Sequence, residues 1–355
     1  MTYASVVDDP FLLAAAIVAG AADGVAVDTS GSTGDPRTAL IGAPALLASA
    51  EATHRRLGGP GAWLLALPVD RIAGFQVLVR AELSGIPPAR MPDRSFAPDG
   101  FVDAVARLRA GAPPGARLYC SLVPTQLRRL RADAAGAAAL AAFDAVLVGG
   151  APLGRDARER GVLETYGSTE TAGGCVYDGH PLPGVRVDVD ADERIIIAGP
   201  VLFDGYADGG DDGTMMRDGT RWLRMPDLGR MVDGQLVVDG RADDVMVTGG
   251  HKVHPTAIEG ALRDTPGLAD AVAVPIPDDE WGERIVALVV GQPGYVLDVR
   301  ALREELVATL PRHAVPKEVR VVESLPLLES GKIDRGAARA LAQATTGGAR
   351  ARDDA

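Results

Sequence analysis

The segment from Thr29 to Arg37 has the composition of an anion-binding loop. It reads Thr29-Ser30-Gly31-Ser32-Thr33-Gly34-Asp35-Pro36-Arg37 and follows a short apolar run, Val25-Ala26-Val27. Glycines allow successive backbone N–H groups to converge on one anion, while hydroxyls and a guanidinium add donors. No lysine–serine or lysine–threonine pair follows a glycine at the spacing of a P-loop, which disfavours a P-loop ATPase. The segment predicts a polyphosphate site, and a flexible Gly/Ser linker is the alternative.

Four further segments carry groups that suit a nucleotide. Glu164–Thr171 combines an aromatic ring, hydroxyls and a carboxylate, which could stack on a purine, bond a phosphate and hold Mg²⁺. Arg224–Gly229 offers a carboxylate for a ribose diol, and Asp239–Asp244 offers a cation and acids. Glu329–Arg335 places a lone lysine in a glycine-flanked turn. Taken singly, each segment is more simply structural: a turn, a hairpin, a linker or an exposed loop.

In their order and spacing, the five segments resemble the sequence motifs of the acyl-adenylate-forming ligase superfamily. This superfamily includes acyl-CoA synthetases, peptide-synthetase adenylation domains and luciferases. The resemblance extends from about Val25 to Arg335, nearly the whole chain. It implies an enzyme that uses ATP and Mg²⁺ to activate a carboxylic acid as an acyl-AMP, and then transfers the acyl group to the thiol of coenzyme A.

The resemblance also implies roles for individual residues. The phosphate loop would comprise Thr29, Ser30, Gly31, Ser32, Thr33, Gly34 and Arg37, and the adenine and acyl pocket Gly149, Gly150 and Ala151. Tyr166, followed by Gly167 and Ser168, would stack on adenine, Thr169 would contact the α-phosphate and Glu170 would hold Mg²⁺. Asp227 and Arg241 would bind ribose, and Asp243 would be the hinge of a mobile C-terminal domain. Gly249 and Gly250 would line the pantetheine channel. Lys332 would reach the acyl carboxylate and the α-phosphate.

These roles agree with the chemistry of acid activation. A carboxylate that attacks the α-phosphorus of ATP brings two anions together, so Mg²⁺, Lys332 and the loop donors must neutralise the growing charge. Lys332 and the incoming pantetheine would compete for one site. Rotation of the C-terminal domain about Asp243 would exchange one for the other.

Other segments narrow the resemblance to compact actinobacterial o-succinylbenzoate-CoA ligases of menaquinone biosynthesis. The segments are Leu67–Gln76 with the following Val77–Arg80, Gly173–Gly179 and Pro181–Val185. In addition, only 28 residues precede Thr29, which suggests a shortened member of the superfamily. The implied substrate is an aromatic keto-dicarboxylate, of which one carboxyl is activated and the other recognised. Arg71 could grip that second carboxylate, or simply pair with Asp70. Arg37 stands where the family's loop generally has lysine, which changes the donor geometry.

Composition limits the classes of partner. The chain has 355 residues, 47% hydrophobic, and a net charge of −12, which disfavours nucleic acid and anionic membranes. Phe11–Ala22 lacks a preceding basic region and is predicted to be a buried helix rather than a signal peptide. Cys120 and Cys175 show no metal spacing and are predicted to be core thiols in a reducing cytoplasm.

The hydrophobic pattern predicts an α/β domain followed by a smaller α+β domain. Buried strands (Trp63–Leu67, Arg117–Cys120, Phe143–Val148) alternate with helices (Pro44–Leu57, Ile72–Leu83, Pro124–Leu130), which predicts a parallel sheet. His54 is expected on the surface of its helix. Short strand-like runs from 185 to 238 predict an antiparallel subdomain, and the region from Gly240 to Val322 an α+β unit. The predicted domains are an AMP-binding domain at 1–240, a mobile domain at 241–345 and a disordered tail at 346–355.

Two further classes of function stay open on the sequence alone. One is an adenylating ligase for another aryl or acyl acid, or for a carrier-protein thiol. The other is a non-catalytic nucleotide-binding protein. A homodimer is expected because shortening would expose apolar surface.

Overall fold

The computed structural model describes residues 1–29, 37–92, 96–153, 161–292, 294–327 and 333–344. These residues form two compact units. The first comprises the described parts of Met1–Leu153, Ala157–Met225 and Arg230–Val237, and the second those of Pro226–Gly229 and Val238–Ala355. The division lies close to the predicted boundary after Gly240, and the assignment of an AMP-binding and a mobile domain stays a prediction.

The first unit begins with strands and helices that alternate along the chain. Its helices are α1 (Pro10–Val18), α2 (Ala43–Leu57), α3 (Ile72–Ser84), α4 (Pro98–Gly111), α5 (Pro124–Arg131) and α6 (Ala134–Leu140). Its strands start with β1 (Tyr3–Ser5), β2 (Gly24–Asp28), β3 (Thr38–Gly42), β4 (Gly61–Leu65), β5 (Ala89–Arg90), β6 (Arg117–Leu122), β7 (Ala145–Gly149), β8 (Val162–Ser168), β9 (Gly173–Tyr177) and β10 (His180–Pro181). They continue with β11 (Arg186–Val189), β12 (Arg194–Ala198), β13 (Gly205–Tyr206), β14 (Thr214–Arg217), β15 (Thr220–Val232) and β16 (Gln235–Arg241), of which β15 and β16 run on into residues of the second unit.

A seven-stranded sheet forms the centre of this unit, in the order β10-β9-β8-β7-β6-β4-β5. Strands β5, β4, β6, β7 and β8 are parallel, and β9 and β10 are antiparallel additions at one edge. Every residue of β4 is buried, as expected of a parallel strand that is covered on both faces. The predicted parallel sheet is therefore confirmed. Apolar side chains of α4 and α5 pack against β4, β6 and β7 in one core cluster.

Two smaller sheets complete the first unit. The predicted antiparallel subdomain is the sheet β11-β12-β15-β14, with β16 paired to β15. The sequence pattern did not predict the other sheet, β1-β2-β3-β13, which joins the chain's first strands to the later Gly205–Tyr206. Helix α1 ends at Val18, short of the predicted Ala22, and Leu12 on it is exposed.

The second unit is the predicted α+β unit. It contains β17 (Met246–Thr248), β18 (His251–Val253), α7 (Pro255–Arg263), β19 (Leu268–Asp278), β20 (Gly282–Gly291), α8 (Val299–Thr309), β21 (Glu318–Val321) and α9 (Arg335–Ala344). The sheet order is β18-β17-β20-β19, with β21 parallel to β20. One face of β19 and β20 packs with α7 and α8, and the other packs with α9. The unit therefore has its own hydrophobic core on both faces of the sheet.

Both cysteines are buried, as the sequence predicts for core thiols. Burial raises the pKa of Cys175 to about 12 and also raises the pKa of Cys120. Within the described ranges, no helix combines the length and the apolar character that crossing a bilayer requires.

Candidate active site

The predicted phosphate loop leaves strand β2 and returns as β3. The antiparallel pairing of β2 with β3 ends at Asp28 and Thr38. Beyond it, Thr29 N donates to Arg37 O at 2.8 Å, and Arg37 N donates to Thr29 Oγ1 at 3.1 Å. The two ends of the loop are thus fixed against each other. The residues between them that were assigned to phosphate, Ser30, Gly31, Ser32, Thr33 and Gly34, lie outside the described residues.

The Arg37 side chain is held by an aspartate and a tyrosine of the same unit. Its Nε and Nη2 donate to Asp208 Oδ2 and Oδ1 at 3.0 and 2.8 Å, a bidentate arrangement. The hydrogen bond to Arg37 lowers the pKa of Asp208 to about 2. The guanidinium carbon also lies 3.5 Å from the ring centre of Tyr206, a cation–π contact. The Arg37 guanidinium is thus already engaged by Asp208 and Tyr206. Its predicted contact with the phosphates of a nucleotide stays a prediction.

Glu170, the predicted Mg²⁺ ligand, is held by Tyr206. Thr169–Thr171 form a 3-10 turn directly after β8. The Tyr206 hydroxyl donates to Glu170 Oε1 at 2.7 Å, and Phe203 N donates to Glu170 O at 2.9 Å. Tyr206 therefore contacts two predicted site residues at once. Tyr206 was not predicted as a site residue, because nothing local to it in the sequence indicates one partner about 170 residues earlier and another 36 residues earlier.

Two predicted segments lie at neighbouring strand ends. Strands β7 and β8 are parallel partners, and Gly149 at the end of β7 pairs with Thr165 of β8. Gly149-Gly150-Ala151 and Tyr166-Gly167-Ser168 therefore meet at one edge of the sheet, where ligands of parallel sheets collect. A Cβ atom on Gly149 would lie 2.5 Å from Thr165 Oγ1, and Gly150 has a φ of +84°. The close approach of these strand ends requires glycine at Gly149.

Arg80 is a buried cation that the sequence analysis did not assign. It lies on α3, its residue is 3% exposed, and its guanidinium, with a buried Nε that has no hydrogen-bond partner, forms no ion pair with the residues that the structure describes. Its guanidinium carbon lies 5.2 Å from the ring centre of Trp63 on β4. Burial lowers the pKa of Arg80. A guanidinium taken out of water without an anion is costly, so this position fits a ligand that brings one. An arginine after the apolar Val77-Leu78-Val79 is the signal that could have found it.

His54 is next to this cation and corrects one prediction. It was expected on the surface of its helix, but it is 8% exposed and accepts a hydrogen bond from Trp63 Nε1 at 3.3 Å. Burial, with a smaller effect of Arg80, lowers its pKa to about 4. The prediction was wrong because His54 lies on the same face of α2 as the buried Ala50 and Leu57, whereas Arg55 and Arg56 are the exposed residues of that turn.

Arg71, assigned to a second carboxylate or to Asp70, forms the Asp70 pair. Arg71 Nε lies 3.6 Å from Asp70 Oδ2, and Nη1 donates to Asp28 O at 3.2 Å. Both side chains are well exposed. The pair was one of the two alternatives. Arg71 directly precedes the first residue of α3, whereas Arg80 lies within that helix and is buried.

In the second unit, the predicted ribose and hinge residues form one charge cluster. Arg241 Nη2 donates to Asp243 Oδ2 at 2.7 Å. Burial opposes the charge of Arg241, but this bond and attraction to Asp227 and Asp244 raise its pKa. Asp227 lies within the long strand β15 rather than in a hairpin turn. The structure thus brings Asp227 and Arg241 together, and their binding of ribose stays a prediction.

Gly249 and Gly250 form the tight turn between β17 and β18. Their φ angles are +55° and +78°, and Gly249 N donates to Trp281 O at 3.0 Å. A Cβ atom on Gly249 would lie 3.0 Å from the Trp281 ring, whereas one on Gly250 would meet nothing within 4 Å. Lys317 Nζ lies 3.7 Å from the centre of the Trp281 ring. Lys332, the predicted catalytic lysine, lies outside the described residues.

Comparisons with known proteins identify the class of the protein. The family model described as AMP-binding enzyme matches residues 28–207, and the model described as AMP-binding enzyme C-terminal domain matches residues 257–332. A Mycobacterium tuberculosis protein described as a probable 2-succinylbenzoate–CoA ligase is 42% identical over 322 residues, which cover 88% of this chain and 82% of that one.

Solved structures agree with this class. The Escherichia coli MenE variant with bound OSB-AMS has a TM-score of 0.70 and 27% identity, covering 91% of this chain and 69% of that one. ATP-bound MatB from Rhodopseudomonas palustris shares the fold, with a TM-score of 0.75 and 24% identity over 89% of this chain and 67% of that one. The chain belongs to the AMP-binding enzyme family, and within it to the adenylate-forming acid–CoA ligases.

Proposed function

We propose that this protein is an ATP-dependent o-succinylbenzoate–CoA ligase. One carboxylate of the substrate attacks the α-phosphorus of ATP, which releases pyrophosphate and forms the acyl-AMP. The thiol of coenzyme A then attacks the acyl carbon and releases AMP, and the thiol proton goes to solvent. The 42% identity to the probable mycobacterial ligase over most of both chains supports this substrate.

The structural observation that carries the choice of a dicarboxylate is Arg80. Activation consumes one carboxyl group and leaves the other ionised. A buried ionised carboxylate needs a cation, and Arg80 is a buried cation with no ion pair in the described residues. A guanidinium also fits a carboxylate through two parallel hydrogen bonds. A monocarboxylic substrate would leave Arg80 unpaired.

The nucleotide would be bound by the residues that the sequence analysis assigned. The Thr29–Arg37 segment would bind the β- and γ-phosphates, Tyr166 would stack on adenine next to Gly149–Ala151, and Asp227 and Arg241 would bind the ribose. Thr169 would donate its hydroxyl to the α-phosphate, and Lys332 would donate to the acyl carboxylate and that phosphate. Each contact neutralises or disperses charge on the reacting oxygens.

Mg²⁺ fits the donor set around Glu170. The ion prefers oxygen ligands and is commonly held by one or two carboxylates together with substrate phosphates. The described residues contain no cluster of three or more acidic, histidine or cysteine side chains that could hold a metal alone. Glu170, positioned by Tyr206, is the carboxylate that would hold Mg²⁺ with the phosphates of ATP. When bound, the ion would neutralise phosphate charge and so favour attack by the substrate carboxylate.

The second half-reaction needs a route for the thiol. Gly249 and Gly250 leave a turn without side chains beside Trp281, which suits the narrow pantetheine arm of coenzyme A. Rotation of the C-terminal domain about Asp243 would replace Lys332 with this turn. Cytoplasmic location and a homodimer stay predictions of the sequence.

A panel of carboxylic acids tests the function. The purified protein is supplied with ATP, Mg²⁺ and coenzyme A, and pyrophosphate and thioester are measured with each acid. We expect both products with o-succinylbenzoate. Products with another acid alone would identify a different substrate, and acyl-AMP without a coenzyme A thioester would favour a carrier-protein thiol. No pyrophosphate with any acid would favour a non-catalytic nucleotide-binding protein.

A further inference from the structure

Ala172 has a left-handed backbone conformation directly after the turn that carries Glu170. Its φ is +49° and its ψ is +39°. This conformation is unfavourable for a residue with a Cβ atom. It persists only where the surrounding structure fixes it, and it is found most often at functional sites. The groups that fix Ala172 therefore bear on the turn that precedes it.

Two buried side chains from two helices hold the carbonyl of Ala172. Ser49 Oγ on α2 donates to Ala172 O at 3.0 Å, and Gln76 Nε2 on α3 donates to the same oxygen at 3.0 Å. Gln76 Nε2 also donates to Leu46 O at 3.2 Å. Carbonyl oxygens only accept hydrogen bonds, so the NH₂ end of the Gln76 side chain must face both of them. Ser49, Gln76 and Ala172 are all 0% exposed.

The turn Thr169–Thr171 has an accessible half and a buried half. Thr169 and Glu170 are partly exposed, whereas Thr171 and the following Ala172 are 0% exposed. Ala172 N donates to Thr169 O at 3.1 Å and closes the turn. Ala172 is therefore bonded to the turn through its N–H and to α2 and α3 through its carbonyl. The position of the accessible half thus depends on these two helices.

We propose that Gln76 and Ser49 are positioning residues for Glu170. The inference rests on the proposed function, in which Thr169 contacts the α-phosphate of ATP and Glu170 holds Mg²⁺ with the phosphates. When one donor is removed, the carbonyl of Ala172 is held less firmly, and Ala172 can relax from its left-handed conformation. The turn then shifts, and the Glu170 carboxylate shifts with it. Binding of ATP with Mg²⁺ weakens because it depends on the position of that carboxylate.

Gln76→Met tests the proposal. Methionine has a similar length and volume but no donor for the two carbonyls. The measurement is the affinity for ATP in the presence of Mg²⁺, by calorimetric titration without any acid. We expect a roughly five- to tenfold loss, the value of one neutral hydrogen bond. In a background that carries Thr169→Ala and Glu170→Gln, Gln76→Met should cause no further loss.

Tyr119→Phe on β6 is the matched control. The Tyr119 hydroxyl donates to Leu57 O at 3.1 Å and to Gly59 O at 3.0 Å, and the residue is 0% exposed. It is thus also a buried donor shared by two backbone carbonyls, but these lie at the end of α2 and in the loop before β4. Its loss should lower the free energy of unfolding, measured with urea, and should leave the affinity for ATP with Mg²⁺ unchanged.

An unchanged affinity in Gln76→Met, or an equal loss in Tyr119→Phe, would overturn the proposal. A full further loss in the Thr169→Ala and Glu170→Gln background would also overturn it. If Gln76→Met does not fold, Ser49→Ala serves instead, because it removes the other donor to Ala172 O with little change of volume. The same loss of affinity is then expected. Because the titration uses no acid, protein that binds ATP with Mg²⁺ but does not activate o-succinylbenzoate would overturn the proposed substrate and not this role.

Discussion

The hydroxyl of Tyr206 donates to Glu170 Oε1 at 2.7 Å while the face of the same ring lies against the guanidinium of Arg37. Glu170 lies in the 3-10 turn after β8 and Arg37 lies directly before β3, so Tyr206 connects two predicted site segments. One side chain thereby fixes the distance between a carboxylate proposed for Mg²⁺ and the end of the proposed phosphate loop.

Tyr206→Phe should weaken the binding of ATP in the presence of Mg²⁺. The variant keeps the ring against Arg37 and loses the hydroxyl, so Glu170 loses one donor that orients it. A hydrogen bond to a charged group contributes about 1.5–3 kcal/mol, which sets an upper limit of roughly 10- to 100-fold on the loss of affinity. Calorimetric titration of ATP with and without Mg²⁺ measures it.

Tyr3→Phe is the control for this variant. The Tyr3 hydroxyl donates to Asp204 Oδ2 at 2.9 Å, a bond of the same type in the same unit. It should leave ATP affinity unchanged. A similar loss in both variants would mean that the effect comes from general destabilisation.

Arg80→Met should raise the KM for o-succinylbenzoate. Methionine fills much of the buried volume but cannot pair with the second carboxylate. We expect an increase of roughly 10- to 100-fold, the value of a hydrogen bond to a charged group. Benzoylpropionate, which lacks the ring carboxyl, should be used equally well or better by the variant than by the wild type.

Arg71→Ala, directly before the first residue of α3, provides the comparison. Arg71 is exposed and paired with Asp70, so its loss should leave the KM nearly unchanged. A large effect of Arg71→Ala with no effect of Arg80→Met would assign the second carboxylate to Arg71.

Gly249→Ala should slow thioester formation more than acid activation. The new methyl would lie 3.0 Å from the Trp281 ring and would narrow the turn proposed for pantetheine. Gly250→Ala is the matched variant, because its φ is also positive but its Cβ meets nothing within 4 Å. Both variants place an alanine at a positive φ, which costs about 1–2 kcal/mol of backbone strain. The rate of thioester formation from prepared acyl-adenylate and coenzyme A should therefore be lower for Gly249→Ala than for Gly250→Ala. Equal rates would contradict a pantetheine channel at Gly249.

His54 should make the protein less stable in acid. Its pKa is about 4 in the native state and 6.5 ordinarily, so the unfolded state binds more protons between these values. The stability from neutral His54 is complete above about pH 6.5 and is lost as the pH falls towards 4. Between pH 7 and pH 5 this loss amounts to about 2 kcal/mol.

His54→Gln, which keeps an acceptor for Trp63 Nε1, should remove this part of the pH dependence. Urea unfolding at pH 5 and pH 7 measures it. His180→Gln, at an exposed histidine on β10, should retain the wild-type dependence. The contrary result is a free energy of unfolding that falls no more in the wild type than in His54→Gln between pH 7 and pH 5. That result would show that His54 is protonated in the native state.

Local patterns were sufficient to predict several of the regular elements. Helices α2 and α3 and strands β4 and β6 differ from their predicted bounds by only one or two residues at either end. Such segments owe their structure to neighbours along the chain: an apolar period, a proline at the first turn or a glycine after the last. The order of the site segments, from the hydroxyl-rich loop to Lys332, was likewise readable without coordinates.

Relations between distant residues were not readable in this way. The burial of His54, the bond from Tyr206 to Glu170 and the bond from Gln76 to Ala172 each depend on which elements pack together. Arg80 was visible as a cation after an apolar stretch, but its lack of a partner was not.

The sequence by itself determined many of the elements and the family of chemistry they serve, because these follow from the types and local spacing of residues. Tertiary structure decided which charged groups are paired and which are left for a ligand. That outcome depends on the sum of all packing contacts around a group, and a one-dimensional pattern does not contain it.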